Sequence, residues 1–151
     1  MKSIRYAFTL LELLLVITII SSVGVVASGF MSRFVRQNEV ANTVDQLAGS
    51  FRKAQIYSMM GKYNGSYTTW GVNYSASTIT LFVKDPSSGI KNAAFNETYT
   101  VSSSVAISGF SEVAFDRMTG IPNPATPLTI TVLGGNTTKT LTMNAQGIIS
   151  K

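Results

Sequence analysis

A single carboxylate stands at the edge of an uncharged stretch. Glu12 is followed by 20 residues, Leu13 to Ser32, that carry no charge. As a helix this stretch spans about 30 Å, the thickness of a bilayer's hydrocarbon core. A carboxylate beside such a span is costly unless it finds a cation or reaches water. Its chemistry is therefore an ion pair, or a side chain that snorkels to the membrane surface. Little other chemistry is open. The chain has no His and no Cys. A Ser-His-Asp triad, a thiol nucleophile, a zinc site of the common ligand types and a disulfide are excluded. Asp85, Glu97, Glu112 and Asp116 could pair as hydrolytic carboxylates or hold calcium. None lies in a dense Asp/Asn loop. They read as solvated surface charges, and no catalytic residue, metal or cofactor is expected.

Charge and composition narrow the class further. Twelve Lys and Arg against seven Asp and Glu give +5 over 151 residues. That excess suits nucleic acid or anionic lipid, and equally plain solubility. Only 13% of residues are charged and mean hydropathy is +0.24, which argues against a disordered chain. Such a length suits one domain with an appendage.

Three readings compete for the apolar run. A secretory signal has a shorter apolar core, with its cleavage site after the core. A buried core helix usually has a shorter apolar run than this one. A plain membrane anchor fits the length and leaves Glu12 without a role.

The residues Ala7-Phe8-Thr9-Leu10-Leu11-Glu12 resemble the processing site of type IV pilins and type II secretion pseudopilins. That family has a short basic leader, a small residue, Phe-Thr-Leu-x-Glu and an apolar run. The resemblance implies that prepilin peptidase cuts between Ala7 and Phe8 and N-methylates Phe8. Ala7 departs from the Gly usual at that position, and remains small. The resemblance further implies that Glu12 sets subunit register by pairing with the terminal amine of a neighbour. Either charge alone would be costly in an apolar filament core. Lys2 and Arg5 place the N-terminus in the cytoplasm and the rest outside. Arg33 and Arg36 oppose this by simple counting, but the first helix and its leader usually dominate.

The helix that carries Glu12 must run on. No Pro precedes Pro86. Val40, Val44, Leu47, Phe51, Ala54 and Ser58 recur at helical spacing and form one stripe wide enough to lie on a sheet. Arg36, Glu39, Asn42, Asp45, Gln46, Arg52 and Lys53 fall largely off it. Gly61 is the expected C-cap. The 53 residues from Phe8 to Met60 would make a helix of roughly 80 Å. Gly24 and Gly29 stand near the place where many major pilins carry a kink-forming Pro. A bend there and close helix packing are equally open, and Gly49 is a further weak point.

Beyond Gly61 the texture turns to β. Tyr67–Tyr74 and Thr78–Val83 read as a hairpin about Ser75-Ala76-Ser77. Tyr99–Val101, Val105–Ile107 and Val113–Phe115 are shorter candidates. Gly120–Pro127 reads as a Pro-rich loop. Leu128–Leu133 and Thr137–Met143 form a second hairpin about Gly134-Gly135-Asn136, and Ile148-Ile149 a last short strand. The fold class expected is α+β: a long N-terminal helix packed on an antiparallel sheet head, type IV pilin-like. The divisions expected are a leader over 1–7, a transmembrane half-helix over 8–32, an amphipathic half over 33–61 and a β-rich head over 62–151.

Phe115 to Gly120, Leu128 to Val132, Leu141 to Met143 and Gly147-Ile148-Ile149 resemble the head of the GspH/FimT family of minor pseudopilins and minor pilins. The resemblance implies a structural subunit near a filament tip, serving protein secretion or pilus biogenesis. It also implies prepilin peptidase, other pilins or pseudopilins, an inner-membrane assembly platform and membrane lipid as partners. The location implied is the inner membrane, by a single pass, then the filament. Some members of that family bind DNA through arginines after the terminal Gly. Here the stretch reads Gly147-Ile148-Ile149-Ser150-Lys151, so the arginines are missing. From Arg33 onward ten basic residues stand against six acidic ones. Nucleic acid remains an alternative partner on this count, with Lys139 and Lys151 as the candidate contacts; a membrane-anchored adhesin is another alternative. Trp70, Tyr67, Tyr74, Phe82, Tyr99, Phe110 and Phe115 could form a stacking surface, but in alternating strands they read as core. The sequons at Asn64, Asn73, Asn96 and Asn136 carry no function in a chain this rich in Ser and Thr.

Overall fold

The computed structural model describes residues 9–62 and 65–151, with the side chains of 26–28 outside that description. The expected leader over 1–7, and with it the Ala7–Phe8 junction, lies outside the described residues. One helix, α1 (Leu10–Met60), opens the chain and is unbroken through Gly24, Gly29 and Gly49. Thr9 caps it. The Thr9 carbonyl accepts from the Glu12 and Leu13 N–H groups, each at 3.1 Å, and its Oγ1 accepts from Glu12 N–H at 3.2 Å. The hydroxyl thus satisfies a donor that the first turn leaves open. At the other end Gly61 adopts φ +59°. Its N–H donates to the Ser58 carbonyl at 3.2 Å, and Lys62 N–H donates to the Tyr57 carbonyl at 3.0 Å. That pair of bonds is the Schellman stop, which needs the left-handed conformation that glycine adopts without strain.

The chain divides into two compact units, residues 1–35 and 36–151. The described part of the first unit is helical apart from Thr9, and its apolar side chains lie exposed all round, Leu10, Leu14, Ile17, Ile20, Val23 and Phe30 among them. Its most apolar window of 18 residues has a mean hydropathy of 2.5, enough by length and composition to cross a membrane.

The second unit holds the core. The predicted stripe is buried throughout: Val40, Leu47, Phe51, Ala54 and Ser58 are fully inaccessible, and Val44 nearly so. Against it lie, among the described residues, nine strands in two antiparallel sheets, which is the helix on an antiparallel head that the sequence led us to expect. The five-stranded sheet has the order β3 (Glu97–Thr100), β2 (Thr78–Lys84), β1 (Thr69–Ser75), β5 (Glu112–Phe115), β6 (Pro122–Asn123). The four-stranded sheet has the order β4 (Val105–Ser108), β7 (Leu128–Gly134), β8 (Thr137–Met143), β9 (Ile149–Ser150). The chain leaves the first sheet after β3, contributes β4 to the second, returns for β5 and β6, and finishes in the second.

Both expected hairpins form. In the first, Trp70 opposes Val83 and Ser75 opposes Thr78. Its tight turn places Ala76 and Ser77 at φ +48° and +58° without a glycine. In the second, Leu128 opposes Met143 and Gly134 opposes Thr137. Three details differ from expectation. β1 begins at Thr69 rather than Tyr67. The Pro-rich loop contains β6, whose Pro122 and Asn123 pair with Phe115 and Ala114; proline is tolerated there because β6 is an edge strand. Ile148 precedes β9 and is exposed, because its N–H is taken by Asn144 Oδ1 at 2.8 Å.

Trp70, Phe82 and Phe115 are buried, and Tyr67, Tyr74, Tyr99 and Phe110 pack against the core from its margin. Phe51 of α1 joins them: its ring centroid lies 5.4 Å from Phe110 and 6.3 Å from Phe115. The aromatic residues are therefore core and its rim.

Candidate functional site

Two places bear on function: the apolar helix around Glu12, and the cationic residues of the head. In the helix, Glu12 occupies the third position after the Thr9 cap, in the first turn. A carboxylate there is favoured by the helix dipole. Glu12 forms no side-chain hydrogen bond or ion pair with a described residue, and it is exposed. The unit's hydroxyls are handled differently. Thr18 Oγ1 donates to the Leu15 carbonyl and Ser22 Oγ to the Ile19 carbonyl, both at 2.8 Å, and Ser32 Oγ donates to the Gly29 carbonyl at 3.1 Å. These three polar groups are satisfied inside the helix, which is what an apolar surrounding demands. Glu12 is the only charge among residues 9–32.

Phe8 falls outside the described residues, so its relation to Glu12 stays an expectation. The sequence reading missed Thr9 as the cap. Its signal was present, since Thr9-x-x-Glu12 is the spacing of a capping box.

In the head, the structure brings Lys139 and Lys151 together. Both line an open groove of about 340 Å³ with Val44, Asp45, Thr138 and Thr140. Lys139 comes from β8, and Lys151 is carried there by β9. Asp45 of α1 faces them and its Oδ1 accepts from Lys151 Nζ. That hydrogen bond, the Lys151 charge and the nearby Lys139 charge hold the Asp45 carboxyl below its usual range. Asp45 is thus paired with Lys151, and Lys139 adds a second, nearby positive charge to the groove.

Three further acids of the head are tied into the fold, while the Asp116 side chain is exposed. Glu97 on β3 accepts from Lys53 of α1. Glu112 on β5 accepts from Lys91 at 2.6 Å and from Lys84 at 3.4 Å. Burial pushes the Glu112 carboxyl up, but the bond to Lys91 and the two lysine charges outweigh it, so its pKa lies below the ordinary value. Asp85 Oδ1 accepts from Ser87 N–H at 2.7 Å and fixes the loop after β2. Among the described residues no three acidic side chains cluster as metal ligands would.

One residue of the stripe is polar and earns its place by hydrogen bonding. Ser58 Oγ accepts from Trp70 N–H at 2.9 Å, and the Ser58 carbonyl accepts from Gly61 and Met118 N–H groups at 3.2 and 3.3 Å. It joins α1 to β1 and to the loop after β5.

No protein-family model matches the chain, and no curated protein matches it in sequence. Among solved structures, the chain is similar to the crystal structure of the type IV minor pilin FimU from Pseudomonas aeruginosa PAO1. The TM-score is 0.58 at 12% identity, over 73% of this chain and 90% of that one. At such low identity the likeness is one of fold. The long N-terminal helix packed on antiparallel sheets is a type IV pilin-like fold.

Proposed function

We propose that the chain is a minor pilin or pseudopilin of the GspH/FimT type, a non-enzymatic subunit of a type IV pilus or type II secretion pseudopilus. The observation that carries this reading is a pilin-like fold whose helix begins with an apolar half in which Glu12 is the only charge among residues 9–32. Prepilin peptidase removes residues 1–7 and methylates Phe8. Residues 8–32 hold the subunit in the inner membrane, N-terminus inside, and then in the filament. Residues 33–61 form the amphipathic half of the helix and residues 62–151 the head.

The mechanism follows from electrostatics. Cleavage after Ala7 creates an amine four residues before Glu12. Buried among apolar side chains, an unpaired carboxylate or ammonium is strongly disfavoured. Only a subunit docked with Glu12 opposite a neighbour's amine satisfies both. Other pilins, the peptidase and the assembly platform are the partners this requires. Two measurements test the reading. N-terminal sequencing of the mature protein should begin at methylated Phe8. Glu12→Ala should leave the chain in the membrane and abolish its recovery with filaments; unchanged recovery would overturn the pairing.

A second reading has one observation in its favour: Lys139 and Lys151 converge on one groove. The head would then contact DNA there. Salt-dependent retention on DNA, lost when both lysines become alanine, supports it. No retention at low salt discards it.

A further inference from the structure

We propose that Arg36 docks on the phosphate of an anionic phospholipid head group, at the surface of the membrane that the apolar helix enters. The inference rests on the membrane-spanning reading of residues 8–32 and adds a lipid contact made by the head.

Arg36 is the first residue of the second compact unit and follows Met31 by five residues. Its side chain is exposed and lies against the β7–β8 turn. A Cβ on Gly135 would sit 3.3 Å from Arg36 Nη1 and 3.4 Å from its Cδ. The guanidinium is thus positioned by the turn, yet it makes no hydrogen bond or ion pair with any described residue.

Glu39 is engaged elsewhere. Glu39, one turn along α1, would ordinarily pair with it. Instead the Glu39 carboxylate accepts from Ser102 Oγ at 3.3 Å through one oxygen and from Ser104 Oγ through the other. The two hydroxyl oxygens lie 3.0 Å apart. The fold therefore engages the Glu39 carboxylate elsewhere, and no described residue takes up the five guanidinium donors. A planar fork of donors beside an apolar span matches the paired oxygens of a phosphate, and the binding gains from a negative lipid surface. This also gives a role to a cation on the side of the span where counting of charges disfavours it.

The test uses the full chain, labelled at arginine and reconstituted in vesicles of phosphatidylethanolamine with phosphatidylglycerol. Solid-state NMR reads the dephasing of guanidinium signals by lipid phosphorus. A dephased signal is expected that disappears in Arg36→Gln and persists in Arg117→Gln, whose side chain lies against Gly61. Replacing phosphatidylglycerol by phosphatidylcholine should weaken it roughly twofold or more. Equal signals in the two lipids, or a signal that survives Arg36→Gln, would overturn the proposal. So would the absence of dephasing in a chain that resists carbonate extraction. A chain that carbonate extracts would instead overturn the membrane-spanning reading, and the docking with it.

Discussion

α1 serves two units by two different rules. In the head its apolar residues are periodic, and each residue of the stripe is hidden. In residues 10–25 eleven of sixteen positions are large and apolar, with no helical stripe set apart, and all of them are exposed. The first pattern is satisfied by the chain's own sheets. The second is covered by none of the described residues, and exposure on that scale marks a membrane or an assembly surface. Periodicity thus encodes a partner within the chain, and its absence encodes a partner outside it.

Substitutions in the two units should separate these rules. Phe51→Ala has the largest expected effect, since it empties the centre of the head's core. It should destabilise the head by about 3–5 kcal/mol, read by chemical denaturation. A similar loss from Leu14→Ala would erase the contrast, because Leu14 is exposed and should change monomer stability by less than about 0.5 kcal/mol. Ser58→Ala should cost about 1–3 kcal/mol by leaving Trp70 N–H without its acceptor. Thr9→Ala should cost about 1 kcal/mol of helix stability, with fraying read by amide exchange over the first turn.

The smallest effect concerns pH. The Glu112 carboxyl has its pKa lowered in the folded state. Its contribution to head stability is therefore complete above the ordinary value of 4.5 and is lost as pH falls through the lower, folded-state value. The melting temperature should drop more steeply in acid for the parent than for Glu112→Gln. Parallel profiles would show that the Lys84 and Lys91 contacts carry no net charge effect.

What was legible in the sequence follows the same division. The stripe from Val40 to Ser58 could be read because a helix's register is local. The hairpin turns at 75–77 and 134–136 could be read because their residue types announce a change of direction. The apolar run and Glu12 needed no fold at all. Sheet membership was not legible, since β4 and β5 have similar lengths and patterns and only distant pairing separates them. The Asp45–Lys151 contact joins residues 106 positions apart, and no local signal foretells it. Nor does spacing reveal that Ser102 and Ser104 take Glu39 away from Arg36.

The inward-turned hydroxyls of Thr18, Ser22 and Ser32 give the first unit an almost frictionless flank. In the proposed filament a neighbour sliding along such a shaft would meet greasy carbon at most steps, with scant preference for where to stop. Under the proposed pairing the lone carboxylate would work as a detent, and one notch would suffice because so little else competes to hold the shaft in place.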